Sequence, residues 1–203
     1  MARPRTDLKL RLIAAAREAF DRDGVDAVSL RAVAGRAGTT IGMIYYYFPT
    51  KDDLVFAVIE DVYARVLPDV AALLSTAEPL RTKLGAVMRR LAGGSNDERA
   101  VMRIAVRDAL ISAPRRARLF ARFQRGHIPL VLDAFARARA AGEIRSDAPA
   151  AMELFSAGAI AVLGALVLEH LPLPGLPPAA ARIEISLDLL FQGIGAAAAS
   201  PRR

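Results

Sequence analysis

Residues 38–54 read GTTIGMIYYYFPTKDDL. Three of the chain's four tyrosines stand side by side there, followed within four residues by a proline, a threonine and a lysine. Neighbouring helical positions point about 100° apart, so Tyr45, Tyr46 and Tyr47 cannot share one buried face. At least one or two of the rings are left for something outside the chain. Pro49 sets a boundary, because the residue before a proline is pushed out of the helical region. Thr50 then stands where a helix N-cap is wanted. With Asp53 it has the spacing of a capping box, Asp replacing the usual Glu. Upstream, Thr39 or Thr40 caps a short helix through about Tyr46, and Gly38 marks a tight turn. Ser29 caps another short helix carrying Leu30, Val33, Ala34 and Ala37. Before it, a longer helix from about Thr6 to Arg22 shows an apolar stripe at Leu8, Leu12, Ala16, Ala19 and Phe20 and stops at Gly24.

A longer helix followed by two short ones across a glycine-bearing turn is the pattern of a helix-turn-helix, whose second short helix lies in the major groove of DNA. Ile44 and Phe48, four apart, can face the core with Val33. The opposite face shows Thr40, Ile41, Gly42, Tyr45 and Tyr46. A glycine inside a helix costs ~1 kcal/mol against alanine, which makes sense where backbone must come close to another surface. Tyr45 and Tyr46 can meet base edges or the sugar wall, and Tyr47 can donate its hydroxyl to a phosphate. Ser29 and the Thr39–Thr40 pair stand at helix N-termini, where free N–H groups and the dipole favour anions. Lys51 is in the first turn of the next helix; a phosphate there would offset a cation near the positive dipole end. Arg31 is a candidate for a guanine or a phosphate. Arg3 and Arg5 precede the first helix and could reach a minor groove. Each residue also has a plain reading as a cap, a packing glycine or a surface ring. Their joint spacing carries the functional one.

At the level of motifs, residues 8–55 resemble the DNA-binding domain of the TetR family of bacterial transcriptional regulators. The matching stretch is AAREAFDRDGVDAVSLRAVAGRAGTTIGMIYYYFPTKDDL, and its most specific part is the block Gly42, Ile44, Tyr45, Tyr47, Phe48, Lys51 and Leu54. The resemblance implies that Tyr47 and Lys51 clamp phosphates while Gly42, Tyr45 and Tyr46 lie towards the bases. Ile41 departs from the polar residue that members often carry there; it could meet a thymine methyl group. The resemblance covers about a quarter of the chain. It implies a DNA-binding domain over residues 1–50 and a larger helical domain for ligand binding and dimerisation over 51–203.

The remaining sequence supports such a division. Helical periodicity dominates and no convincing strand pattern appears, so the fold class reads as all-α with about nine helices. A long helix from Thr50 carries Leu54, Val58, Val62 and Leu67 on its inner face, with a kink expected at Pro68. Further helices are expected over about 79–92, 96–112 (boxed by Ser95 and Glu98), 115–141 (kinked near Pro129), 148–170 and 178–195. The last two are nearly all apolar and rich in Ala and Gly, as in SAGAIAVLGALVL, with stripes on more than one side. That suits a four-helix interface built by two copies, a homodimer through helices of about 148–170 and 178–195. Two-fold symmetry would match a palindromic operator. The family picture places a pocket for a small, largely apolar effector among the middle helices. Its candidates by apolar face are Met88, Leu91, Met102, Val106, Leu110, Phe120, Phe123, Val131 and Phe155. Arg103 and Arg107, four apart, hold an anionic ligand if inward and form a solvated face if outward. His127 lies beside Pro129.

Net charge is +7, yet residues 1–65 hold 10 Lys+Arg against 9 Asp+Glu, while residues 66–203 hold 18 against 12. Overall charge therefore does not mark the N-terminal part as a nucleic-acid binder. There is no cysteine, and with two histidines no metal cluster is visible; no cofactor is expected. The longest uncharged stretch, Leu154 to Leu168, is short of the ~18 residues that span a bilayer, and no signal-peptide core follows the basic N-terminus. A bacterial, cytoplasmic protein is expected, without a membrane partner. Tyr47-x-x-x-Lys51 spells a pair used by some reductases, but Pro49 breaks the turn that would align it and no glycine-rich phosphate loop follows a strand. No catalytic residues are assigned. The expected function is a ligand-responsive regulator, a repressor first. Activation or ligand-independent DNA binding is the alternative, and a helical protein-interaction module is the remoter one.

Overall fold

The computed structural model describes residues 5–150, 175 and 177–194 of the chain. Among the described residues there are nine helices and no strand: α1 (Arg5–Asp23), α2 (Leu30–Arg36), α3 (Ile41–Tyr47), α4 (Lys51–Ser75), α5 (Leu80–Ala92), α6 (Asn96–Ile111), α7 (Ala113–Gln124), α8 (His127–Ala140) and α9 (Ala179–Ile194). The all-α reading holds, and most spans agree with the sequence pattern to within a residue or two. The helix expected over about 148–170 falls, from residue 151 on, outside the described residues.

One expected helix is two. The span 115–141 breaks at Arg125–Gly126, not at Pro129. Gly126 serves as the N-cap of α8, and Pro129 lies in that helix's first turn. A proline is tolerated there because its missing N–H would have had no intrahelical acceptor. Within α4, by contrast, Pro68 sits in the interior and the helix continues to Ser75.

The chain forms two compact units. One comprises Met1–Val66 with Gly94–Arg122, the other Leu67–Gly93 with Phe123–Arg203. The first part of α4, all of α6 and most of α7 belong to the same unit as α1–α3. In the first unit Leu12, Phe20, Val33, Ile44, Leu54 and Ile104 are essentially inaccessible to solvent. Their apolar surface, at about 25 cal/mol per Å² removed from water, is what holds the short helices α2 and α3 against their longer neighbours. In the second unit Met88, Ile183 and Leu187 form a buried cluster, with Leu84, Ala92 and Phe191 packed on it. A Cβ on Gly85 would lie 3.1 Å from Leu187 Cδ1, so the bare backbone lets α5 and α9 pack closely. The loop after α8 closes this unit: Glu143 Oε2 accepts from Leu80 N at 2.7 Å, and Arg145 N donates to Ile194 O at 2.9 Å.

Candidate nucleic-acid interface

The turn between α2 and α3 is built by local backbone bonding. Thr39 N donates to Ala34 O at 3.0 Å and Gly38 N to Gly35 O at 3.1 Å, the paired pattern of a Schellman C-cap. Gly38 has φ +67°, a left-handed conformation that disfavours side chains. From α1, Arg11 Nη1 donates to Ala37 O at 3.0 Å and satisfies a carbonyl the helix end would leave bare. Ser29 caps α2, its hydroxyl accepting from Ala32 N at 3.2 Å. Thr40 is the N-cap of α3 by backbone shape, but its hydroxyl makes no capping bond.

Helix α3 is pinned on one side only. Ile44 and Phe48 are buried, as is Val33 from α2, while Tyr45 and Tyr46 are 52% and 65% exposed. Gly42 is exposed, and a Cβ built on it would meet nothing nearer than Thr40 Oγ1 at 3.8 Å. No packing among the described residues asks for a glycine there. Ile41 and Tyr47 are half-buried, and the Tyr47 ring meets the Tyr46 ring edge-on, centroids 5.1 Å apart. Arg31 is exposed and makes no ion pair among the described residues, and Thr39 is half-buried. Arg36, which the sequence reading passed over, is likewise an exposed cation in the last turn of α2. The same reasoning that singled out Arg31 applies to it. Arg5 begins α1 and so does not stand on a preceding arm; Arg3 lies outside the described residues.

Helix α4 opens with a complete capping box. Asp53 N donates to Thr50 Oγ1 at 3.1 Å, and Asp53 Oδ2 accepts from Thr50 N at 3.2 Å and from Thr50 Oγ1 at 2.7 Å. The Thr50 bonds, then the Arg118 guanidinium 3.0 Å away, hold the Asp53 carboxyl below its usual pKa. Lys51 is half-buried, its Nζ donating to Asp26 O at 3.3 Å. Burial pushes its pKa down, opposed by Asp26 and reinforced by Arg115.

Arg115 lies beside it, at the start of α7. Its guanidinium, with only 13% of the side chain exposed, binds Asp52 at 2.8 Å, Asp26 at 3.0 Å and Asp108 at 2.8 Å. Burial opposes its charge, but the three carboxylates outweigh that and raise its pKa above the ordinary guanidinium range. One and two turns on, Arg118 stacks 4.0 Å over Phe56 and Arg122 pairs with Glu60 at 2.7 Å, so one face of α7 grips α4. Arg103 and Arg107 of α6 follow neither expected course. Arg103 binds Asp21 through Nε at 2.9 Å and Nη2 at 2.5 Å, and Arg107 donates to the carbonyls of Phe20 and Asp21, so both fasten the C-terminal end of α1. These partners answer the puzzle of charge. The first unit as it folds carries 17 Lys+Arg against 12 Asp+Glu, hence +5, because residues 94–122 join residues 1–66.

The expected effector-pocket residues do not gather in one unit. Met102, Arg103, Val106, Leu110 and Phe120 are in the first, and Met88, Leu91, Phe123, His127 and Val131 in the second. Leu110 and Phe120 are 79% and 45% exposed and so face solvent: Leu110 lies in the last turn of α6, and Phe120 lies opposite the arginine face of α7. Met88 is spent in the α5–α9 cluster. Leu91 and Val131 are half-buried, and Phe123 and His127 pair with ring centroids 4.7 Å apart. Phe155 lies outside the described residues. Among the described residues no group of His, Asp and Glu side chains could hold a metal ion, and no helix is long and apolar enough to cross a membrane.

Residues 12–58 match the family described as bacterial regulatory proteins, tetR family. No curated protein sequence matches the chain. Solved structures similar over nearly the whole chain include SmeT, the repressor of the Stenotrophomonas maltophilia multidrug efflux pump SmeDEF, at 20% identity and TM-score 0.71, covering 93% of this chain and 92% of that one. The SmeT–triclosan complex is similar at 19% identity and TM-score 0.75, covering 97% of each. A bacterial regulatory protein in the tetR family from Rhodococcus RHA1 is similar at 18% identity and TM-score 0.75, covering 94% of this chain and 98% of that one.

Proposed function

Since the chain carries the N-terminal segment of the tetR family and that family's all-helical fold, we propose that it is a cytoplasmic, non-enzymatic transcriptional regulator. It binds a palindromic operator as a homodimer, as a repressor, and a small, largely apolar effector releases it. The observation that carries this reading is α3: a helix fastened by Ile44 and Phe48, with Tyr45, Tyr46 and an unfilled Gly42 facing out. The division of roles follows the sequence reading, with residues 1–50 reading DNA and residues 51–203 sensing and pairing. The DNA-contact set is Ser29, Arg31, Thr39, Thr40, Ile41, Gly42, Tyr45, Tyr46, Tyr47 and Lys51, to which we add Arg36. Ser29 acts there through its cap, since its hydroxyl is already engaged.

Pairing of two copies is supported by α9, where Ile185 and Leu189 are 49% and 69% exposed while Ile183 and Leu187 fill the core. An effector site is supported by the similarity in fold to SmeT, whose complex with triclosan has been solved. The half-buried residues of the second unit, Leu91, Phe123, His127 and Val131, are its best candidates here.

Selection of bound duplexes from a random pool by the full-length protein tests the reading. The expected result is a palindromic consensus whose binding falls steeply with salt, since phosphate contacts release counterions. Tyr46→Ala should change the selected bases, whereas Lys51→Ala should weaken all duplexes about equally. A pool that stays random, with salt-indifferent binding, would overturn it.

A further inference from the structure

We infer that Arg115 and Arg118, outside the recognition helices, are positioning residues for DNA binding: they neutralise the carboxylates around the N-terminus of α4 and so leave the Lys51 ammonium for a phosphate. The inference rests on the reading of Lys51 as a phosphate contact. Its basis is geometric. Within the first unit Lys51 stands beside a cluster of acids: Asp26, whose carbonyl it touches at 3.3 Å, its neighbours Asp52 and Asp53, and Asp108. Left alone, such a cluster would do two things. It would draw the lysine into an ion pair of its own, and it would repel a phosphate approaching the head.

Every one of those carboxylates is claimed by α7. Arg115 bridges Asp26, Asp52 and Asp108, and Arg118 takes Asp53. Arginine suits this work because its planar fork serves several carboxylates at once and it never loses its proton. The buried guanidinium also acts on Lys51 directly, as a like charge that disfavours collapse of the ammonium into the cluster. What remains bonded to Lys51 Nζ is a neutral carbonyl, a partner that a phosphate can outbid. The acids are not idle: Asp53 completes the capping box. The sequence keeps its helix cap and cancels that cap's electrostatic cost to DNA binding with cations brought from 63 and 65 residues away.

The test is whether neutralising the acids rescues the loss caused by neutralising the arginine, read with a duplex of about 25 random base pairs at several salt concentrations. Arg115→Gln should lower affinity about tenfold near 0.1 M salt and flatten the slope of log K against log[salt] by about one unit per protomer, as for one lost phosphate contact. Lys51→Ala combined with Arg115→Gln should be little worse than Lys51→Ala alone. The deciding variant is Arg115→Gln with Asp26→Asn and Asp52→Asn. It lacks the guanidinium but also two of the three acids that the guanidinium bridged, Asp108 alone remaining, and recovery of most of the affinity and slope is expected. If Arg115 only braces the fold, the triple variant stays as weak as the single one, and the inference is overturned. Should Arg115→Gln not fold, Arg118→Gln and Arg118→Gln with Asp53→Asn carry the same comparison at a half-exposed position. If Lys51→Ala itself leaves affinity and salt slope unchanged, the phosphate contact on which the inference stands is what fails. If Lys51→Ala weakens binding and neither Arg115→Gln nor Arg118→Gln does, the inference alone fails.

Discussion

Two glycines four residues apart make opposite demands. Gly38 sits at φ +67° in the Schellman turn, whereas Gly42 is helical with open space where a Cβ would be. Gly38→Ala should therefore destabilise the protein by about 1–2 kcal/mol, the cost of a left-handed alanine. Gly42→Ala should stabilise it by about 0.5–1 kcal/mol through helix propensity, while weakening DNA binding by placing a methyl group on the outward face. Denaturant melts and duplex titrations of the two variants separate these effects; a Gly42→Ala protein that binds normally would remove the close-approach account of that glycine. Both residues were legible in the sequence, because glycine at a turn and glycine inside a helix are local signals. The arginines were not. Arg103 and Arg107 offered a choice between ligand and solvent, and they took neither. Their partners on α1 are 82–87 residues away, and nothing in the spacing of α6 announces them.

Among the elements, α4 shows how much a helix start can be read in advance. Thr50 and Asp53 have the spacing of a capping box and form one. Because the folded-state pKa of Asp53 is depressed, its contribution is fully present above its ordinary carboxylate range and disappears as the pH falls through the lowered value. Asp53→Asn should thus cost about 0.5–1 kcal/mol at pH 7, discounted because the side chain is a third exposed. The difference from the parent should shrink in melts as the pH falls through that lowered value. A cost that persists in acid would mean that the ionised carboxylate is not what caps the helix. Helix α7 was the opposite case. Periodicity carries straight through Arg125–Gly126, since apolar residues recur on both sides, and the proline drew attention to the wrong place. Only the discovery that Pro129 falls in a first turn moves the break upstream.

At the scale of the whole chain, the pairing of two copies predicts that Leu189→Glu, placed on the exposed side of α9, yields a monomer by light scattering at micromolar concentration with the helical content retained. A dimer that survives the change would move the interface away from α9. Composition had hinted at this surface through the apolar excess of the last helix, but it misjudged the electrostatics, because charge counted along the chain is not charge counted in space. The near-neutral first 65 residues belong with a segment that arrives much later. That separation has a biosynthetic consequence. During translation, Asp21, Asp26, Asp52 and Asp53 leave the ribosome long before the guanidiniums that will quiet them. The growing head therefore spends the synthesis of α5 and α6 near-neutral overall, with these four carboxylates still without the guanidiniums that pair them in the folded unit. On the function proposed above, it becomes a reader of DNA only once α7 has emerged, so the order of the chain itself would delay binding until synthesis is well past the midpoint.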